Sequence, residues 1–511
     1  METSARTLAC LRKSHLLLLA VLLAGACGID NTTSTTAVAV TSEVPQPTTS
    51  ATTSTVAGSL AWKDCWGVAE CADLTVLMDY ANPSGETVSI AVVRVAAVEE
   101  PYLGPLFLNP GGPGGSGLDM VGEFADLWSM VFPQFDVVGF DPRGVGASSA
   151  VLCPTDYDTD DKQAFDAGDD LSALFVEQLD YVEQCQDLSG ELLLHVGTNN
   201  AARDIDEMRS ALGVEQITYL GYSYGTRLGA VYAGLFPDRV RAMVLDGPLD
   251  PAEQLTKFSS VQGDGFESAW SRFAADCRAD AACALNEFGG PEAAFFAADA
   301  LLEEQNFLVG EGRELSRAEF VFGVGVALYS PQSWPDLVEG VVEVLEERQG
   351  NIFQGLVDDM IGRQPDGSYD NSNAANLLIN CADDPGRPSQ EEIVEANGAL
   401  ASTLPHFGPI FRGTTGCFGV PAAVDPLLSM PADMAVPALV IAMEGDPATP
   451  MAWAEGLRAA VGDAVLITTD GDGHGAFLSN SECVTEVVFA YLYLLVVPVD
   501  GWSCEEPALY G

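Results

Sequence analysis

The chain has 511 residues, with 22 Lys plus Arg against 74 Asp plus Glu, a formal charge of −52 beside a 48% hydrophobic share. Disordered chains combine high charge with too few apolar residues to bury, so this composition describes a folded protein of one large domain with an insertion, or of two domains. A phosphate backbone needs clustered Lys and Arg, which excludes nucleic acid as a partner, and the same charge opposes docking on an anionic membrane surface.

Arg6, Arg12 and Lys13 precede an apolar run from Leu16 to Leu23, so residues 1–26 read as a secretory signal. The run is too short to span a bilayer, and no transmembrane span is expected in the mature protein. The small residues Ala24-Gly25-Ala26 before Cys27 resemble a bacterial lipoprotein signal, in which Cys27 becomes the lipidated N-terminus; the alternative is ordinary cleavage near Ala26. Either cleavage removes three basic residues and one acidic residue, leaving the mature chain two charges more negative. Residues 27–59 are rich in Ser, Thr and Pro and read as a disordered tether.

Short apolar and β-branched runs follow, at Val88 to Val98, Leu106 to Asn109, Phe135 to Phe140, Ile217 to Leu220 and Ala242 to Leu245, each read as a strand. Helical patterns at Asn200 to Leu212 and Thr226 to Phe236 lie between them. Strands alternating with helices predict an α/β fold, a mostly parallel sheet with helices on both faces. Over 251–406 the pattern turns helical, with Glu267 to Ala281, Pro291 to Glu304 and Trp334 to Arg348 as examples. Strand signals return at Ala438 to Met443 and Ala464 to Thr469. The expected organisation is an α/β core over 60–250 and 407–511, interrupted by a helical cap. The apolar run Val487 to Val499 contains Pro498 and reads as a buried terminal helix.

Setting aside Cys10 and Cys27, ten cysteines remain, an even number in an exported protein, and disulfides are expected. Spacing suggests the local pairs Cys65 with Cys71, Cys153 with Cys185, Cys277 with Cys283, Cys381 with Cys417, and Cys483 with Cys504. There is no C-x-x-C pair and no Cys/His cluster at zinc spacing, so neither metal nor cofactor is expected.

Gly221-Tyr222-Ser223-Tyr224-Gly225 matches G-x-S-x-G between a strand run and a helix, the setting of a nucleophile elbow. A tight strand-to-helix turn forces Ser223 outward, and glycines on both sides remove side chains that would collide. A serine hydroxyl is a weak nucleophile near neutral pH, so a base is required. The mature chain has three histidines, His195, His406 and His474; only His474 lies in a glycine-rich loop after the last strand runs, in the chain order Ser, acid, His. The acid expected between them is Asp446, in the loop after Ala438 to Met443, with Glu444 as the alternative. Backbone donors for an oxyanion are expected from the loop Asn109 to Gly117, with Gly112 first and Gly111 second, and from the amide of Tyr224. No Lys follows the glycine loop, which disfavours a phosphate-binding reading.

The stretches LNPGGPGGSG at 108–117, FDPRGVG at 140–146, YLGYSYGTRLGAVYAGLFPDRVRAMVLDGPLDP at 219–251, GDPATP at 445–450 and GDGHG at 471–475 resemble secreted actinobacterial tripeptidyl aminopeptidases. These are relatives of prolyl iminopeptidases within the α/β-hydrolases, and the likeness spans about residues 60–506. The resemblance implies hydrolysis of peptides from a free N-terminus, with Ser223, Asp446 and His474 as the triad. It also implies acidic groups near the cap that bind the substrate ammonium, for which Asp383 and Asp384 are the positions considered.

The leading expectation is an exported serine exopeptidase acting on peptide substrates through an acyl-enzyme. A carboxylesterase or lipase would use the same residues, and a catalytically silent binding lipoprotein is the third reading. The cap would act as a lid that determines how many substrate residues fit. After the signal the only lysines are Lys63, Lys162 and Lys257, so the surface reads as an acidic, solvated shell, whose field would also attract peptides with cationic N-termini.

Overall fold

The computed structural model describes residues 60–154, 171–412, 415–427 and 432–506. The expected signal segment, Cys27 and the tether lie outside these residues. Ten strands form one sheet: β1 (Lys63–Asp64), β2 (Ala69–Leu77), β3 (Thr87–Val95), β4 (Pro105–Asn109), β5 (Asp136–Phe140), β6 (Ile217–Tyr222), β7 (Val240–Asp246), β8 (Ala438–Gly445), β9 (Ala464–Asp472) and β10 (Trp502–Cys504). Their spatial order is β1-β2-β3-β5-β4-β6-β7-β8-β9-β10. Pairing is antiparallel from β1 through β3 to β5 and parallel from β5 onward.

The central strands explain why the sequence reads as near-continuous apolar runs. Every residue of β4 and β6 is buried, because helices cover both faces of a parallel sheet. On one face lie α1 (Thr198–Ala211) and α2 (Tyr224–Leu235); on the other lies α6 (Glu482–Leu494), with two apolar clusters filling the layers between. Between β7 and β8 no described residue joins this sheet. The chain there runs through helices, among them α3 (Leu255–Ala279), α4 (Arg317–Ala327) and α5 (Ser372–Asp383). Trp270, Phe273, Phe295, Phe320, Trp334 and Phe407 form a separate buried core in this region.

Some elements differ from the sequence pattern. The cap helix α3 starts twelve residues before the expected Glu267, through a stretch that Gly263 and Gly265 weaken as helix. Those glycines are there for packing: a side chain on Gly263 would enter Leu404, and one on Gly265 would come within 2.5 Å of Pro450. The terminal apolar run is only partly buried. Its helix ends at Leu494, Leu495 is left-handed with φ of 53°, and Val496 and Val499 are exposed. Five disulfides join Cys65–Cys71, Cys153–Cys185, Cys277–Cys283, Cys381–Cys417 and Cys483–Cys504, the pairs that spacing suggested. Among the described residues no helix is long and apolar enough to cross a membrane.

The consequence for function is geometric. Strands β4, β6, β7, β8 and β9 run parallel, so the loops after Asn109, Tyr222, Asp246, Gly445 and Asp472 leave the sheet at one edge, where ligands of open α/β sheets bind.

Candidate active site

Ser223 joins β6 to α2 with φ of 54° and ψ of −124°, a conformation that costs a non-glycine residue roughly 1–3 kcal/mol. Its surroundings hold it there. The Ser223 N–H donates to Asp246 O at 2.9 Å, and its carbonyl accepts from the Thr226 N–H at 2.9 Å and the Thr226 hydroxyl at 2.7 Å. The flanking glycines are needed for close approach, since a side chain on Gly221 would enter the Gly225 carbonyl and one on Gly225 would lie 2.8 Å from Asn109 Oδ1.

His474 faces this turn from the loop after β9. A Cβ built on Gly247 would lie 3.2 Å from His474 Cε1 and 3.5 Å from the Ser223 N, so both residues border the same glycine. His474 Nδ1 is 3.0 Å from each oxygen of Asp446. The carboxylate accepts the Nδ1 proton, which leaves Nε2 with a free lone pair. Burial alone would lower the imidazole pKa, but the Asp446 charge and hydrogen bond outweigh it and hold the pKa above its ordinary value.

Asp446 is fully buried and well supplied with donors. Its Oδ1 accepts from the Ala448 N–H at 2.9 Å and the Thr449 N–H at 2.7 Å, and its Oδ2 from the Thr449 hydroxyl at 2.8 Å. The Thr449 Oγ1 also lies 3.3 Å from His474 Nδ1. Glu444, the alternative acid, is exposed on β8.

The glycine loop presses against the elbow. A Cβ on Gly111 would sit 2.5 Å from Tyr222 O, 2.8 Å from Ser223 Cβ and 3.1 Å from the Tyr224 N. The Gly111 N–H itself donates to Asn109 Oδ1 at 3.1 Å, so its proton is engaged within the loop. Asn376 of α5 donates to Pro113 O at 3.1 Å and packs the cap onto this loop.

Asp383 and Asp384 have other partners than the ammonium expected for them. Asp383 is buried, accepting from the Thr198 N–H at 2.7 Å and the Thr198 hydroxyl at 2.6 Å; that hydroxyl is in turn 2.5 Å from Tyr224 Oη. Burial pushes the Asp383 carboxyl up to about 6. Asp384 accepts from the Leu255 N–H at 3.0 Å, at the start of α3. Asp383 therefore joins cap to core, and Asp384 ties together two segments of the cap. His406 hydrogen-bonds Glu267 through Nδ1 at 2.7 Å inside the cap, and the His195 carbonyl accepts from Arg143, whereas the histidine that pairs with Asp446 is His474.

Sequence reasoning missed two residues. Thr449 becomes a ligand of Asp446 only when the turn 446–449 closes. Asp246 ends the apolar strand β7 and accepts from the Ala476 N–H at 2.9 Å and the Phe477 N–H at 2.7 Å, holding the segment just after His474; burial pushes its carboxyl up to about 6. The available signal was a lone acidic residue closing the wholly buried run Ala242 to Asp246.

Residues 104–288 match the family model for the alpha/beta hydrolase fold, and residues 407–504 match the model for TAP-like protein. The chain is 35% identical over 459 residues to serine protease Hip1 of Mycobacterium tuberculosis, covering 86% of this chain and 88% of the relative. It is 34% identical over 453 residues to carboxylesterase B of the same organism, covering 85% and 86%. It is 30% identical over 468 residues to tripeptidyl aminopeptidase of Streptomyces lividans, covering 84% of each.

Proposed function

The chain belongs to the tripeptidyl aminopeptidase-like family of α/β-hydrolases and is a serine hydrolase, and from that premise we propose that it is an exported peptidase cleaving peptides from a free N-terminus through an acyl-enzyme on Ser223. The observation that supports the acyl-enzyme is the His474–Asp446 pair, with Nδ1 held by both carboxylate oxygens, beside the strained serine turn; the choice of peptide substrates rests on the likeness to a serine protease and a tripeptidyl aminopeptidase.

In this reading Nε2 of His474 takes the Ser223 proton as Oγ attacks the scissile carbonyl, and Asp446 stabilises the imidazolium that forms. The amides of Tyr224 and Gly112 receive the oxyanion. Gly112 is preferred over Gly111 because the Gly111 proton is already donated to Asn109. His474 then protonates the leaving amine, and water repeats the sequence on the acyl-enzyme. The cap over 251–406 limits how many residues enter, and the lipoprotein-like signal retains the enzyme outside the cell through Cys27.

Matched tripeptide p-nitroanilides with free and acetylated N-termini, together with a p-nitrophenyl ester, test the substrate class. Turnover should be high for the free amine and low for the acetylated peptide. Negligible turnover of every free-amine peptide beside rapid ester cleavage would reverse the assignment to a carboxylesterase, the activity named for one relative. Cys27→Ala should release the protein into the medium; unchanged retention on cells would remove the anchor.

A further inference from the structure

We infer that Arg272, on the cap helix α3, is a positioning residue that clamps together the loops bearing Asp446 and His474. The inference rests on the triad reading above. Helix α3 presents one stripe to these loops, with Gln262, Gly265, Ala269 and Arg272 spaced three and four residues apart. At the near end, Gln262 Nε2 donates to Ala448 O at 2.9 Å, inside the turn that cradles Asp446. Gly265 lies against Pro447 and Pro450, a Cβ there falling 2.6 Å from Pro447 O.

At the far end the Arg272 guanidinium hydrogen-bonds the Asp472 carboxylate and donates to Asp470 O at 2.5 Å. Asp472 stands two residues before His474. The same guanidinium borders the acid strand: a Cβ on Gly445, next to Asp446, would lie 2.9 Å from Arg272 Nε and 2.7 Å from Gly471 O. One cation thus touches the ends of both β8 and β9. The cap adds a second hold on the same loop, since the His474 N–H donates to Tyr329 O at 2.7 Å, just beyond α4.

Arg272 also separates carboxylates that would otherwise repel. Asp472, Glu444 and Asp470 lie within its field, and Asp276, one turn further along α3, interacts unfavourably with Asp472. The Arg272 and Asp472 side chains remain 34% and 18% exposed. Partly exposed ion pairs add little to folding stability. Catalytic geometry is far less tolerant, a displacement of about 1 Å costing on the order of 100-fold. The pair is therefore placed to affect rate more than folding, and α3 is a splint between cap and chemistry instead of a lid free to swing.

The test compares Arg272→Met, Arg272→Lys and Asp472→Asn, measuring kcat, KM, the rate of labelling by a fluorophosphonate and the melting temperature. Arg272→Met should lose about 10- to 100-fold in kcat and in labelling rate, with KM within about twofold and melting within a few degrees. Arg272→Lys, which keeps the charge, should recover part of the loss. One molar salt should raise the Met variant relative to wild type by screening the exposed carboxylates. Wild-type kcat in Arg272→Met overturns the inference, as does an equal loss in the Lys variant. If Arg272→Met does not fold, Asp472→Asn carries the same test: a kcat loss supports the clamp and wild-type kcat refutes it. Ser223→Ala and His474→Ala run alongside keep the two claims apart, because turnover surviving in either defeats the triad reading whatever Arg272 does.

Discussion

Asp446→Asn is the substitution whose outcome the site geometry determines most fully. The side chain keeps its shape, but one oxygen becomes an NH2 group that can only donate. Oδ1 accepts from two backbone amides, at 2.9 and 2.7 Å, which cannot reverse their polarity. Oδ2 accepts from the Thr449 hydroxyl at 2.8 Å, which can turn and accept instead, and from the Gly475 N–H only at 3.4 Å. The asparagine therefore settles with its NH2 at the Oδ2 position. His474 Nδ1, 3.0 Å from each of the two positions, then meets a donor at one of them where it had two acceptors, which favours the tautomer with its proton on Nε2. A base protonated on that nitrogen cannot receive the Ser223 proton. Loss of the correct tautomer and of the charge that stabilises imidazolium costs about 10⁴ in kcat, equivalent to roughly 5.5 kcal/mol of transition-state stabilisation. Steady-state kinetics on the free-amine peptide substrate, with melting curves to show that the fold persists, measure it. Glu444→Gln serves as control and should stay within about twofold of wild type, because Glu444 is exposed. An Asp446→Asn enzyme keeping more than about a tenth of its activity, or a large loss in Glu444→Gln, would refute the assignment of the acid.

Three further outcomes are expected. Thr449→Val removes a hydrogen bond to a buried carboxylate, worth about 1.5–3 kcal/mol, so kcat/KM should fall about 10- to 100-fold while Thr449→Ser restores most of it; a Val variant equal to wild type would show the hydroxyl to be idle. Because Asp446 raises the His474 pKa and the mechanism needs neutral imidazole, kcat/KM should fall as pH drops through a midpoint above about 6.5, and an acid limb centred below 6 would contradict this. Asp383 has a folded pKa of about 6, above an unfolded value near 3.9, so the fold favours its protonated form and loses that advantage as pH rises through 6. Wild type should therefore gain about 2 kcal/mol over Asp383→Asn between pH 7.5 and 4.5 by denaturant unfolding, and a difference independent of pH would remove Asp383 from the buried network.

What the sequence made legible was the chemistry set by local pattern. The elbow is five consecutive residues between a strand run and a helix, so Ser223 could be read from local pattern, while the contact of Gly225 with Asn109 of the glycine loop could not. Asp446 and His474 follow strands with strong apolar runs, and chain order selects them from three histidines and many carboxylates. Contacts between distant segments were not legible. Asp383 looks like any acid of an acidic chain until the fold places it against Thr198, 185 residues away. Arg272 gains meaning only when α3 lies along two loops that follow it by some 170 to 200 residues. Strand β2 escaped notice because Ala69, Cys71 and Ala72 are small and interspersed with Glu70 and Asp73, leaving only Leu74, Val76 and Leu77 at its end to suggest a strand.

The most direct measurement of the central claim is the site of covalent labelling. A peptidyl phosphonate with a free N-terminus should give a single adduct by intact mass, mapped by proteolysis to the peptide holding Ser223, and both adduct and turnover should vanish in Ser223→Ala. An adduct on another residue, or labelling that persists in Ser223→Ala, would contradict an acyl-enzyme at this serine.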